Sequence, residues 1–499
     1  MRESQGGNSV SKHLKTRLAV SAAVCAVVCA GHAFAGAFYI QEQSVKGMGR
    51  AYSGESTDVG VSAMFWNPAA IGRIEDKELY TGAAGIFVTG EVTDEGSTLQ
   101  RPTLNIPAVL GTSIPGLPNG VTGLLSGVLP GLTNGVLIPT LESLPNIPLQ
   151  PALAVGGNSV AKNPIPKSIV PNFAFAMPLT SRLSLGVGIN APFNAVTTYD
   201  GDSWVRYNAI KSRFLNINMQ TALAYRVTDW LSVGGGGNID YFDATFSQMG
   251  PDLTAPFPDG KIEVKGEDIR YGWNAGFQVH PGDRLVVAGS YRSGYKHELD
   301  GTVAIYGFQG PFSLVTSQQE ATTSFSTPWI ATAGVTAKPT RKLAVHAQVQ
   351  RFGWSDFDTV TVDLKGAGQL LPGALLPKQI VVNEFYKDTT NVAVGVDYQA
   401  TKWLALRAGV QKDPTPTNDQ YRDARVPDGD RMIYSLGATV TPKRNINLDL
   451  GASYIKLKDS VIHADQTLYD GTAFPMELSL RGRSEGKGIV IGGGARIAF

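Results

Sequence analysis

Charge, cysteine and histidine are all scarce in this chain, and each scarcity excludes something. Asp, Glu, Lys and Arg make up 17% of the 499 residues, against ~25% in an ordinary globular protein, and the net charge is +1. That leaves no basic stripe for nucleic acid and no polybasic patch for an anionic surface. The two cysteines, Cys25 and Cys29, lie near the N-terminus, so the rest of the chain is expected to hold no disulfide. Of six histidines, His13 and His32 share that N-terminal stretch, leaving His280, His297, His346 and His463 in separate segments. None sits in H-E-x-x-H, and there is no G-x-S-x-G elbow, so an enzyme is not expected. Gly47, Gly49 and Gly54 do not have the spacing of a dinucleotide loop and no βαβ pattern surrounds them. No cofactor or metal site is expected. Beyond the N-terminus no apolar run reaches the about 20 residues that a membrane-spanning helix needs.

What is abundant is glycine, 57 residues, and alternation. From Leu215 to Val227, Leu215, Ile217, Met219, Thr221, Leu223, Tyr225 and Val227 share one face, opposite Asn216, Asn218, Gln220, Ala222, Ala224 and Arg226. Leu343–Gln350 and Asn445–Tyr454 repeat the pattern, with His346 on a polar face. Period two is the strand signal. The alternating segments are longer than the about 5–6 residues usual in soluble sheets and suit a tilted strand crossing a bilayer. Tight turns, such as Thr180-Ser181-Arg182 and Thr228-Asp229, alternate with long loops, and Tyr225, Trp230, Tyr398 and Trp403 sit beside short turns. Short periplasmic turns, long outer loops and an aromatic girdle are the outer-membrane pattern. About 14 strands can be drawn from 77–93 to 485–499, the even number bacterial barrels require. Lipid offers no hydrogen-bond partners, so strand 485–499 must close on strand 77–93. The outward terminal aromatic Phe499 reads as an address for the barrel-assembly machinery. The expected fold is all-β: a 14-stranded antiparallel transmembrane β-barrel occupying residues 77–499.

Three regions fall outside the barrel pattern. Residues 1–35 read as a signal peptide: basic Lys12, Lys15 and Arg17, an apolar run from Leu18 to Ala30, and an Ala33-Phe34-Ala35 cleavage site, giving a mature start at Gly36. A membrane anchor would need a longer run, and Ala26-Val27-Val28 before Cys29 is a poor lipobox. Residues 36–76 are irregular and rich in small residues; they are expected either to fold inside the barrel as a plug or to trail as a periplasmic tail. Residues 98–166 form a long first loop loaded with Leu, Ile and Val. It is expected either to pack on itself over the barrel mouth or to offer an apolar landing surface.

Several blocks in order carry a family resemblance: 37–44 (AFYIQEQS), 49–54 (GRAYSG), 65–69 (FWNPA), 188–193 (GINAPF), 204–212 (WVRYNAIKS), 406–410 (LRAGV) and 426–431 (VPDGDR). The chain resembles the FadL-type outer-membrane proteins, which take up long-chain fatty acids and, in related branches, aromatic hydrocarbons. The resemblance implies an N-terminal lumenal hatch over 36–76 and passive transport of a hydrophobic small molecule. It also implies an inward kink in the third strand, here 183–197, that opens a lateral hole into the bilayer. Asn67, Pro68 and Ala69 would belong to the hatch beside that hole, and Phe38 would lie by an internal hydrophobic pocket. Gly186, Gly188 and Pro192 would mark the bend, since such residues weaken a ladder, although ordinary tight packing would also account for them. If the ligand carries a carboxylate, a lumenal Arg should meet it; Arg206 and Arg226 are the candidates, and a solvated lumenal charge network is the alternative. The expected surroundings are outer-membrane lipid and lipopolysaccharide, with the chain acting as a monomer in a Gram-negative outer membrane. A general diffusion porin, with an unplugged charged bore, is the rival; an outer-membrane lipid-modifying enzyme is the third reading.

Overall fold

The computed structural model describes residues 37–101, 152–252, 258–308, 317–365, 378–470 and 475–499. Fourteen strands close into one antiparallel barrel. They are β1 (Glu78–Asp94), β2 (Val160–Lys162 and Ser168–Pro178), β3 (Leu183–Asn190 and Ala195–Thr198), β4 (Lys211–Arg226) and β5 (Leu231–Gly250). Next come β6 (Gly260–Gly282), β7 (Leu285–Arg292 and Tyr295–Tyr306), β8 (Ser317–Thr327 and Ile330–Ala337) and β9 (Leu343–Phe352 and Thr359–Lys365). The wall finishes with β10 (Gln379–Asn383 and Thr389–Gln399), β11 (Leu404–Asp413), β12 (Arg431–Lys443), β13 (Ile446–Leu457 and Ser460–Leu468) and β14 (Met476–Ala498). β14 pairs β1 from Glu78↔Ala498 to Asp94↔Gly482, so the sheet has no free edge at the seam. Residues 1–35, expected to be a signal peptide, and residues 102–151 of the apolar first loop lie outside the described residues.

The alternation read in the sequence becomes the inside and outside of the wall. On β4, Met219, Leu223 and Tyr225 are exposed, while Asn216, Asn218 and Gln220 are buried. His346, Gln348 and Gln350 face the bore from β9, where Val345 and Val349 face out. Four short turns share one local device. Thr180, Thr228, Thr340 and Thr401 each turn a side-chain oxygen back to accept from backbone N–H groups two and three residues on. Each is followed three positions later by the leucine that opens the next strand. Tyr225, Trp230, Tyr398 and Trp403 are exposed at this end, and Tyr271, Trp273, Tyr434 and Tyr454 are exposed further along the strands. These positions suit two aromatic girdles.

Residues 37–76 run inside the barrel and are buried almost throughout. Their one-turn helix Val45–Met48 is capped by the Ser44 hydroxyl, and two 3-10 turns follow at Val61–Ala63 and Pro68–Ile71. Much of the glycine content has its explanation here. Interior glycines on five strands stand where a methyl group would collide with this segment: Gly234 against Ala69, Gly276 against Asn67, Gly334 against Ser56, Gly409 against Arg50 and Gly437 against Gly49. At Gly234, Gly409 and Gly437 backbone meets backbone, and at Gly276 and Gly334 the Asn67 and Ser56 side chains take the space a Cβ would fill.

The third strand departs from expectation in detail. Gly186 and Gly188 do not mark its bend. Both lie within the regular β2–β3 ladder, which runs from Pro178↔Ser184 to Phe173↔Ile189. Gly186 gives room to Met64 and Ile71, and Gly188 to Met64. The break comes later, over residues 191–194, and holds Pro192. Beyond it Ala195–Thr198 pairs β4, while residues 168–172 of β2 pair β1. The next backbone bond across the β2–β3 boundary is Thr198 N to Pro164 O, 2.7 Å. Between those two points, among the described residues, the wall has an unpaired window.

Candidate functional site

The window is backed by the first described residues of the inner segment. Ile40 N donates to Pro192 O at 2.7 Å, and Tyr39 forms an antiparallel bridge with Phe193. Gln43 closes a two-way clasp on Ala191: its amide nitrogen donates to Ala191 O and its oxygen accepts from Ala191 N, each at 3.2 Å. From the β2 side, the Asn172 amide donates to Glu42 O at 2.7 Å. The interrupted strand therefore gives its bonding capacity to residues 39–43 instead of β2. This satisfies the buried backbone groups that the interruption would otherwise strand.

Glu42 stands in this clasp with one carboxylate oxygen unpartnered. Burial pushes its carboxyl up to about 7, against weaker pulls from backbone N–H groups and Arg431. A carboxyl whose proton is held more tightly when seated favours the seated state most below its ordinary value. That preference is lost as pH climbs from about 4.5 to about 7. Amide protection at residues 39–43, taken relative to intrinsic base-catalysed exchange, should fall across that window, and Glu42→Gln should flatten the profile of protection against pH. A wild-type profile that is already flat would remove Glu42 from the clasp's energetics.

Phe38 is fully buried. Its ring lies 4.9 Å from Phe214, 4.9 Å from Trp354, 5.1 Å from Phe357 and 6.1 Å from Phe193. The cluster extends to Phe242, Phe325, Phe352 and Tyr386, forming an apolar core in the upper bore. Ala37 N donates to Asp428 at 2.9 Å, and Asp428 is held by Arg431 and Thr415. One end of the inner segment is thus fixed to the loop before β12.

Asn67 organises the far end of the segment. Its oxygen caps the turn at Ala69 N (2.9 Å), and its nitrogen donates to Ser56 O (2.9 Å) and Phe277 O (3.1 Å). Pro68 and Ala69 lie against the β5 glycine Gly234. Between the two ends, a buried ion cluster ties the segment to β10. Arg50 meets Glu55 (2.8 Å), Asp58 (2.5 Å) and Asp397 (3.1 Å). Burial alone would lower Arg50, but the three carboxylates outweigh it and hold the guanidinium above its ordinary range.

The other two candidates are not drawn into this assembly. Arg206 belongs to the outer loop before β4. It donates to the carbonyls of Val155 and Gly156, lies over the Tyr207 ring at 4.4 Å and reaches Asp259 at 3.5 Å. Arg226 is at the short-turn end of β4, where it donates to Ser181 O. Both guanidinium groups serve to tie loops. Sequence reading missed Phe193, Trp354 and Arg292. Arg292 had a signal available, since Ser290 and Arg292 share the polar face of an alternating strand. Trp354 had none, because it sits in a 3-10 turn that interrupts β9.

A closed antiparallel cylinder, apolar outside with exposed aromatic residues at two levels and filled by a folded stretch of its own chain, is an outer-membrane barrel of the transport class. The chain belongs to the family described as outer membrane protein transport protein (OMPP1/FadL/TodX), whose model matches residues 26–499. It is an outer-membrane protein of a Gram-negative bacterium. Outer membrane protein P1 of Haemophilus influenzae is 26% identical over 476 residues, covering 87% of this chain and 89% of that one. The long-chain fatty acid transport protein of Escherichia coli strain K12 is 23% identical over 488 residues, covering 89% and 92%. The crystal structure of a Pseudomonas aeruginosa FadL homologue superposes with a TM-score of 0.72 at 22% identity, covering 93% of this chain and all of that one. The Pseudomonas putida toluene transporter TodX gives 0.58 at 12%, covering 91% and 98%. At these identities the solved structures speak for the shared fold.

Proposed function

We propose that this protein carries hydrophobic small molecules, long-chain fatty acids or aromatic hydrocarbons, passively across the outer membrane. Residues 36–76 act as the hatch and 77–499 as the barrel. The ligand is captured by the outer loops, passes to the pocket around Phe38, displaces the hatch and leaves sideways into the bilayer. The observation that carries this reading is the unpaired window between β2 and β3, backed by residues 39–43 of the inner segment. Burying alkyl or aryl surface yields roughly 25 cal/mol per Å², so such ligands bind with little polar help. Pro192 lies in the window, and Gly186 and Gly188, in the paired ladder before it, admit Met64 of the hatch. Outer-membrane lipid receives the ligand, lipopolysaccharide surrounds the outer end, and Phe499, exposed beside Phe175, is the assembly signal for a monomer.

Uptake by cells lacking their own transporter tests the reading. Asn67→Ala removes a cap worth about 1 kcal/mol and two further bonds, and uptake should fall several-fold with the barrel still assembled. Unchanged uptake would overturn the hatch role. A general porin would instead pass a large steady ion current in planar bilayers.

A further inference from the structure

Five arginines are buried among the described residues: Arg50, Arg292, Arg407, Arg422 and Arg431. Four of them hold a carboxylate within ion-pair distance. Arg292 differs. Its Nη1 donates to the Asn218 (3.3 Å) and Asn238 (3.1 Å) side-chain oxygens, and its Nη2 to Phe65 O (2.9 Å) and Gln220 Oε1 (2.8 Å). All four acceptors are neutral amide oxygens. The acid of this neighbourhood, Asp240, reaches it through Asn218, whose nitrogen donates to Asp240 at 2.6 Å. Asp240 is further engaged by Asn216 and lies 3.9 Å from His297. A guanidinium kept from water and given no direct counter-ion is costly, and bidentate pairing with a carboxylate is its strongest available interaction.

Arg292 lines a cleft between the inner segment and the wall, together with Tyr39, Phe65, Trp66, Ile330 and Thr332. Aromatic and apolar side chains share that lining with Ser290 and Gln350. The Trp66 indole N–H is buried there without a hydrogen-bond partner, a second donor directed at no acceptor. Phe65 covers the guanidinium twice, with its ring at 4.4 Å from the guanidinium carbon and its carbonyl on Nη2. It stands two residues before Asn67.

We propose that Arg292 is the receptor for the carboxylate of a hydrophobic acid inside the bore, and that the carboxylate takes the Nη2 donor now held by the Phe65 carbonyl. Headgroup binding and release of the Phe65–Ala69 stretch from the wall are then one exchange. An uncharged hydrocarbon binds the aromatic pocket without triggering it. This rests on the transport reading and narrows its substrate class to amphipathic acids.

The test compares oleate with oleyl alcohol, binding each to the purified full-length protein. Arg292→Gln should weaken oleate roughly tenfold or more, the worth of a charge-assisted bond, and leave the alcohol within about twofold. Asn238→Asp, at a side chain whose oxygen already accepts from Arg292 and whose nitrogen has no hydrogen-bond partner, keeps Arg292 in place and supplies it with an internal carboxylate; the same selective loss is expected. Equal losses for acid and alcohol, or none for either, in a folded variant would overturn the assignment. The transport reading fails separately, if wild-type protein takes up neither compound into cells.

Discussion

Arg50→Met should unfasten the inner segment from the barrel while leaving the barrel itself closed. The substitution preserves apolar volume but takes from Glu55 the cation it pairs with, and leaves Asp58 with Lys46 and Asp397 with Arg407. Arg50 and Glu55 are fully shielded from solvent, and Asp58 and Asp397 are partly so. Breaking a buried ion pair from one side costs about 3–5 kcal/mol, because the surviving charges cannot recover water. The Arg50 carbonyl packs directly on Gly409 and Gly395, so the residue also fixes where the backbone meets β10 and β11. Amide protection across residues 45–58 should fall by roughly a hundredfold or more, at about 1.4 kcal/mol per decade. Strand amides on β12–β14 should stay protected, since their ladders do not depend on Arg50. Adding Asp397→Asn should restore part of the loss, as neighbours in one charge network do not act additively. Full protection in Arg50→Met would mean that apolar packing alone seats the segment.

Phe38→Ala should have a comparable energy but a different reach. Removing a buried phenyl ring costs about 3–5 kcal/mol, and this ring touches four aromatic neighbours from β3, β4 and the β9 insertion. The loss falls on the tip, residues 37–43, while the Arg50 cluster remains seated. Those tip residues also clasp the interrupted third strand, so the backing of the window should become mobile. The expected readout is faster exchange at Tyr39, Ile40 and Ala191, together with intermittent ion conductance in planar bilayers and an unchanged barrel melting temperature. A silent bilayer and unchanged exchange would separate Phe38 from the window.

The two variants together distinguish an anchor from a latch. The ion cluster holds the middle of the segment against β10, and the glycine belt seats the segment against β5, β6, β8, β11 and β12. The aromatic tip and the Glu42–Gln43 clasp hold its beginning against β3. On the proposed transport reading, a ligand entering the Phe38 cluster would compete with the second set of contacts and not with the first, so release would begin at the tip without expelling the whole segment.

Much of this was legible beforehand because strand alternation is a local property. A residue's parity along β4 or β9 states whether it meets lipid or bore, and turn threonines announce the reversals. Parity says nothing about depth, partners or availability. Arg226 lies at a turn, and Arg206 ties loops together. Arg292, on the same parity rule, reaches the cleft. Gly186 and Gly188 looked like breaks in a strand, yet their ladder is intact; what they accommodate is Met64, a side chain more than a hundred positions earlier in the chain.

The amino-acid order by itself determined the closed barrel, its strand number and its inner and outer faces, because each follows from period-two patterning and from the need to pair every backbone group in lipid. The tertiary structure decided where the wall opens, which residues back the opening and which buried arginine has no carboxylate beside it among the described residues. Those features arise from contacts such as Ala37 to Asp428, 391 residues apart. Such contacts have no periodicity, since they depend on how a separately folded stretch nests against a wall assembled from the rest of the chain.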